Sequence, residues 1–517
     1  MGGDMKKTAR LYIIGAGYAG RNLAEEIKAK AIFGTVVAFL DDDPVKIGTK
    51  IDGIPVLGPI RDVARLLRMK SADEAIIAIP SASREYISEI YSILKSAGFR
   101  RIRILPGISQ IIEGNARLIQ TRSIDPQDLL GRTPAAINLK ESLAYIRGKR
   151  VLVTGAGGSI GSEICRQLLS GGASRLYLFG HGENSIYLID RELRLLQEEG
   201  VGEKATIVPI IGDMKDRDYM FYILKKLSAD VIFHTAAYKH VPMMEENAVA
   251  AIENNLFGTK NLVDAAIACE VKRFVHITTD KAVNPVSIYG ASKYLCEKIV
   301  LSAANSSIDS VRDPQSRFMA VRFGNVLGSR GSIMLLFQKQ IEKGGPVTVT
   351  HPDMKRWFMT IPEACSLVLK AGGVGGNGEL YLLDMGEPVL ISDLAKQMIR
   401  FYGFEPDRDI KIEYTGTRPG EKLDERLWAA DEEPVSTEFT RILNVRKRTD
   451  GQQNQKALDL AGLLERLRPI VYFDPAQAEK HRSAALLYQL LEEAIPGFGR
   501  QPNDIREPSQ KIKVPVF

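Results

Sequence analysis

Residues 149–169, KRVLVTGAGGSIGSEICRQLL, decide how this chain is read. A strand-like apolar run leads into Thr154 and the spaced glycines Gly155, Gly158 and Gly161, and a helical apolar pattern follows. Glycines at a strand-to-helix turn let the backbone approach a pyrophosphate, which the N–H groups at the helix start attract. The stretch therefore predicts a dinucleotide site in a doubly wound parallel sheet, with Thr154, Gly155, Gly158, Ser159, Ile160 and Gly161 as cofactor-binding candidates.

Moving outward, the next strand, RLYLFG (175–180), lacks the terminal carboxylate that commonly holds a ribose and runs into His181, Gly182 and Glu183. Glu183 is the ribose candidate, whereas His181 would favour a 2′-phosphate, so NAD and NADP both stay open. ATIVPIIGD (205–213) brings Asp213, with Met214 after it, towards the adenine. Residues 230–262 then give a strand, the small-residue turn Ala236-Ala237 beside the cofactor, and a long helix. Lys239 and His240 project from that turn towards substrate or solvate a loop, and Asn254 and Asn255 can orient the following helix.

TTDKAVNPVSIYGASK (278–293) follows the strand RFVHI and opens another helix. Tyr289 and Lys293, four residues apart, share one face of that helix. A cationic lysine beside a tyrosine favours the phenolate, which can take a hydroxyl proton as hydride leaves the same carbon. Carbonyl/alcohol redox is the chemistry these two residues predict.

A second fingerprint lies near the start. LYIIGAGYAGRNLAEEI (11–27) carries Gly15, Gly17 and Gly20, and TVVAFL (35–40) ends in three aspartates, of which Asp41 is the ribose candidate. With EAIIAIP (74–80) and RIRILP (101–106) this predicts a Rossmann-like domain over 8–120, either binding a nucleotide or nucleotide-sugar or serving a regulatory role. Residues 121–148 read as a linker, 149–450 as the catalytic domain, and 451–517 as one amphipathic helix with a Pro- and charge-rich tail.

Composition narrows the class. The 517 residues are 45% apolar and 26% charged, as in globular proteins, and the net charge of +6 suits an anionic small molecule without arguing for nucleic acid. Cys165, Cys269, Cys296 and Cys365 are far apart and read as free thiols of a reducing cytoplasm. The six histidines form no ligand cluster, so no metal is expected. No apolar run approaches the roughly 18 residues of a membrane span, which predicts a soluble, cytoplasmic protein.

TGAGGSIGSE, HTAAYKHVPMME, TTDKAVNP, YGASK, VRFGNVLGSRGSI, WFMTIPEA and TGTRPGEK occur in this order between residues 150 and 425. Together they resemble the nucleoside-diphosphate-sugar 4,6-dehydratase/epimerase family of bacterial capsule, O-antigen and protein-glycosylation pathways, within the extended short-chain dehydrogenase/reductases. The resemblance extends over about residues 10–450. Long members usually begin with transmembrane helices, absent here, so the chain either is naturally soluble or has been shortened and works at the inner face of the membrane. Several long members carry Met where this chain has Tyr289.

The resemblance implies a UDP-N-acetylhexosamine substrate, UDP-N-acetylglucosamine first, and a bound, recycled NAD or NADP. Tyr289 would take the C4 hydroxyl proton, polarised by Lys293 and by Thr279 or Thr278. Asp280 would be the acid at C6 and Lys281 the base at C5, giving a 4-keto-6-deoxy sugar. Asn325, Arg330, Ser332, Lys239 and Arg356 become substrate-binding candidates, with Arg418 and Glu421 for phosphate and ribose. A 4-epimerase, which needs no such acid/base pair, and a non-catalytic nucleotide-sugar-binding regulator are the alternatives. A homo-oligomer joined through the helices beside Tyr289 is expected from the superfamily.

Overall fold

The computed structural model describes residues 9–30, 34–79, 82, 84–99, 101–104, 122–123, 142–202, 204–305, 316–402, 404–439, 441–448 and 458–499. Most of the stretch read as a linker, the end of the RIRILP run and the tail from 500 onwards lie outside them.

The chain divides into two compact units. The first comprises 1–136 with 332–349 and 392–414, so two segments that the sequence division assigns to 149–450 group with the N-terminal part. Its strands are β1 (Arg10–Ile14), β2 (Thr35–Leu40), β3 (Lys50–Ile51), β4 (Ile54–Leu57), β5 (Glu74–Ile77), β6 (Arg101–Ile104) and β7 (Arg122–Ser123), in the order β3-β4-β2-β1-β5-β6-β7. The central pairings are parallel, and helix Tyr18–Lys30 follows β1 directly. Tyr12, Ile14 and Ala75 face one core and Leu11, Ile13 and Ile76 the other, because alternate residues of a strand point to opposite faces.

The second unit comprises 137–331, 350–391 and 415–517. Its sheet contains β8 (Arg150–Thr154), β9 (Arg175–Gly180), β10 (Thr206–Ile211), β11 (Val231–His234), β12 (Arg273–Thr279) and β13 (Arg317–Phe323) in the order β10-β9-β8-β11-β12-β13. Strand Leu380–Leu383 extends it in parallel, and Ile442–Lys447 and Glu432–Ser436 close it antiparallel. These strands read as nearly unbroken apolar runs because helices cover both faces. Leu152 and Phe274 pack under helices Arg217–Leu227, Gly258–Ala268 and Ile288–Asn305. Val151, Val153 and Val275 pack under helices Ser159–Ser170, Glu183–Glu198 and Ile361–Val374.

The order of strands reverses between β8 and β11, and the carboxyl ends of those two strands open the crevice where such sheets bind ligands. Leu143 and Ile146, inside the stretch read as linker, are buried in the second unit's core, and the Tyr145 hydroxyl donates to the Leu369 carbonyl at 2.7 Å. Their Leu-x-x-Ile spacing is too short to register as a periodic element. Helices Leu460–Val471 and Ala484–Ala494 pack into the core that holds Ile288, Leu295 and Ile299 of the Tyr289 helix. The chain's own C-terminal helices thus cover part of the face from which association was expected. Cys165, Cys296 and Cys365 are buried free thiols and Cys269 is half-buried. Among the described residues no helix is long and apolar enough to cross a membrane.

Candidate active site

The glycine-rich turn sits at the end of β8. Gly155 has φ +67°, and a Cβ there would lie 2.8 Å from Ala236 Cα, so the turn after β8 and the small-residue turn after β11 touch backbone to backbone. A Cβ on Gly161 would come within 2.2 Å of the Gly155 carbonyl oxygen, which lets the helix begin directly against the turn. Gly158 caps that helix, leaving the first-turn N–H groups of Ser159, Ile160 and Gly161 facing the crevice. Such a cradle fits a dinucleotide pyrophosphate.

The flanking candidates divide. Glu183 is exposed at the start of its helix, where a ribose could meet it. Asp213 is partly exposed and accepts from the Lys215 N–H at 2.9 Å. Met214 is 4% exposed with its side chain against Gly258 in the core, so only its backbone can serve a cofactor.

Past β12 the chain turns once through Asp280–Ala282 and re-enters helix Ile288–Asn305. Thr279 Oγ1 donates to Asp280 Oδ1 at 2.8 Å. Lys281 Nζ donates to the same Oδ1 at 3.1 Å and to Asn325 Oδ1 at 3.0 Å. Asp280 is fully buried, yet its Oδ2 has no hydrogen-bond partner among the described residues. Gly324 adjoins that oxygen, since a Cβ there would lie 3.3 Å away. That oxygen leaves one acceptor position of the buried carboxyl open to a substrate group.

Tyr289 is 8% exposed. Burial, then the Asp280 charge, pushes its phenol above the usual tyrosine range, while the Thr279 hydrogen bond opposes this. Lys293 is buried and its ammonium is pulled below the usual lysine range by desolvation. Its hydrogen bonds go to the Ile277 carbonyl at 2.7 Å and His276 Nε2 at 3.1 Å. The sequence predicts a cation lowering the phenol, whereas at Tyr289 desolvation dominates and raises it. Asn255 Nδ2 donates to Ser292 Oγ at 3.0 Å and to the Tyr238 carbonyl at 3.0 Å, tying the turn after β11 to the Tyr289 helix. Asn255 lies in the π-helical turn Ile252–Phe257, a kind of distortion frequent at functional sites.

The loops assigned to substrate are organised differently from expectation. Asn325 holds Lys281. The Arg330 N–H donates to Ser159 Oγ at 3.0 Å and its carbonyl accepts from Lys239 Nζ at 2.9 Å, leaving the Arg330 side chain exposed. Desolvation, then the Lys281 charge, lowers the Lys239 ammonium pKa. Arg356 is 7% exposed, and its guanidinium donates to the carbonyls of Lys355, Leu423 and Lys422 at 2.7, 3.1 and 2.8 Å. It organises the 418–423 turn, which removes most of its capacity for phosphate. Arg418 is exposed, and its N–H donates to Glu421 Oε2 at 3.2 Å. Lys422 Nζ donates to the Val283 carbonyl at 2.7 Å, joining that turn to the loop after Lys281. Ser332 caps helix Ile333–Glu342 in the first unit.

Beside Thr278, already a candidate for the phenol, gather three residues that sequence reasoning left out, Glu297, Arg322 and Glu432. Thr278 Oγ1 donates to Glu297 at 2.9 Å, and buried Arg322 bridges Glu297 and Glu432, both at 2.8 Å. The signal was present as charges inside apolar runs, which are rarely buried without partners.

In the first unit, Gly15 has φ +103° and a Cβ on Gly20 would meet the Gly15 carbonyl oxygen at 2.0 Å. A Cβ on Gly17 would meet nothing within 4 Å. Asp41 Oδ2 accepts from the Ala16 N–H at 2.7 Å, and Lys46 lies 3.3 Å from the same carboxylate.

Residues 151–447 match a family described as polysaccharide biosynthesis protein, and residues 4–106 match a CoA-binding domain. The chain is similar to a probable polysaccharide biosynthesis protein EpsC of Bacillus subtilis, 43% identical over 445 residues that cover 86% of this chain and 72% of that one. A UDP-N-acetylglucosamine 4,6-dehydratase (inverting) of Campylobacter jejuni is 31% identical over 294 residues, 56% of this chain and 81% of its own. Among solved structures, Pen from Bacillus thuringiensis matches with a TM-score of 0.52 and 33% identity, covering 58% of this chain and 90% of that one.

Proposed function

The chain belongs to the polysaccharide biosynthesis protein family, and from that premise we propose that it is a nicotinamide-dependent 4,6-dehydratase of a UDP-N-acetylhexosamine, with UDP-N-acetylglucosamine as substrate. The observation that carries this reading is the Asp280–Lys281 pair: one buried carboxyl with an oxygen that has no hydrogen-bond partner among the described residues, in contact with one amine, on the short turn between β12 and the Tyr289 helix. A 4-epimerase has no use for such a pair.

The cradle of Gly155, Gly158 and Gly161 with Ala236 would hold NAD or NADP, with Glu183 and Asp213 for its ribose and adenine. Held there, a nicotinamide would supply the acceptor for hydride from C4 and the donor of hydride at C6. Tyr289 removes the C4 hydroxyl proton, and Thr279 and Lys293 stabilise the phenolate. The resulting ketone acidifies the C5 hydrogen. Moving the shared proton from Lys281 to Asp280 turns an ammonium–carboxylate pair into a neutral amine and a carboxylic acid, the forms that elimination requires. Lys281 then takes the C5 proton and Asp280 gives its proton to the departing C6 hydroxyl, which leaves as water; Lys281 returns a proton to C5 as the hydride adds at C6, and passing the Tyr289 proton back to Asp280 resets the site. Lys239, Arg330, Arg418 and Glu421 are our candidates for the UDP-sugar. We keep 149–450 as the catalytic domain and 8–120 as a nucleotide-binding or regulatory domain, with Gly15, Gly17, Gly20 and Asp41 at its site.

Incubation with UDP-N-acetylglucosamine in D2O, followed by NMR, tests the proposal. A 4-keto-6-deoxy product with deuterium at C5 is expected. UDP-N-acetylgalactosamine as sole product would overturn it in favour of the epimerase.

A further inference from the structure

His276 occupies the middle of β12 and is fully buried. Its Nε2 lies 3.1 Å from Lys293 Nζ, while its Nδ1 is buried with no hydrogen-bond partner among the described residues. The adjacent His234, paired with it in register and 5.0 Å away between ring centroids, cannot supply one. Both His234 nitrogens are committed, Nδ1 to Thr154 Oγ1 at 2.7 Å and Nε2 to Thr259 Oγ1 at 2.9 Å. Desolvation and the charge of Lys293 hold His276 neutral. The ring nitrogen that faces an ammonium must then offer its lone pair, which puts the proton on Nδ1. That leaves a buried N–H without an acceptor, a cost that an aliphatic residue at this strand position would avoid.

We propose that His276 is a positioning residue for Lys293. With the Ile277 carbonyl, its Nε2 takes two of the three ammonium N–H groups and leaves the third for the reacting side of the site. The proposal rests on reading Tyr289 and Lys293 as the redox pair. In a site where desolvation already works against the lysine charge, a second fixed acceptor keeps the ammonium both charged and aimed.

Two variants and a spectroscopic signature test it. His276→Leu should lower kcat by about 10- to 100-fold with KM within about twofold, the cost of a misplaced catalytic group. His276→Gln, whose side-chain oxygen can still accept from Lys293, should recover most of that loss. Histidine 15N NMR on the full chain without cofactor should show a neutral Nδ1–H tautomer that disappears in His276→Gln and shifts in Lys293→Met. His276→Leu turnover equal to the parent per folded molecule, or an Nε2–H tautomer indifferent to Lys293→Met, would overturn the proposal. If Tyr289→Phe keeps full turnover, the dehydratase reading falls instead, while the NMR signature still decides the His276–Lys293 contact.

Discussion

The two glycine-rich turns of this chain are built alike and equipped differently. In both, a glycine of positive φ ends a parallel strand, and a later glycine lets the next helix pack on its carbonyl oxygen. The first turn is closed by its own protein, since Asp41 accepts from Ala16 and pairs with Lys46. The second lacks that carboxylate but shares its unit with Asp280, Lys281, Tyr289 and Lys293, and with all six histidines of the sequence. A backbone device for nucleotides is therefore separable from chemistry, which depends on what the later strand ends carry.

The sharpest way to break this comparison is Tyr289→Phe. It should lower kcat by about 10³-fold, within the range for lost acid–base catalysis, with little change in KM when product is followed by NMR. Gly20→Ala in the first turn should leave kcat of the folded protein unaltered. Lys281→Met and Asp280→Asn should each slow product formation by about 10²-fold or more. Both should still oxidise C4, read as absorbance of the reduced nicotinamide when substrate is added.

Acid should separate the units next. Burial depresses His234 to about 3, so its contribution is complete above its unfolded value and is withdrawn as the pH falls towards 3. From pH 6.5 to 5 this removes about 2 kcal/mol, at about 1.4 kcal/mol per pH unit. Hydrogen exchange should show the loss in the second unit only, and His234→Gln should reduce it, the remainder coming from His276, which burial also holds neutral. The smallest effect is Asp41→Ala, which should cost the first unit about 1–2 kcal/mol in denaturant unfolding and leave turnover unchanged.

Much of this was legible without coordinates. Glycine spacing, strand-like apolar runs and the Tyr289-to-Lys293 interval are local patterns, and they led to the parallel sheets and the family. The role of Arg356 was not legible, because its partners are carbonyls near residue 422. Nor was the grouping of 332–349 and 392–414 with the N-terminal part, since periodicity carries no record of which unit an element joins.

By itself the sequence determined which side chains stand one turn apart and where the backbone can bend, because both follow from neighbours along the chain. Only the tertiary structure decided that Lys281 meets Asn325, that one Asp280 oxygen has no hydrogen-bond partner among the described residues, and that Lys293 rests on His276. Those facts depend on desolvation and on partners distant in sequence, and these set the protonation and aim of each group.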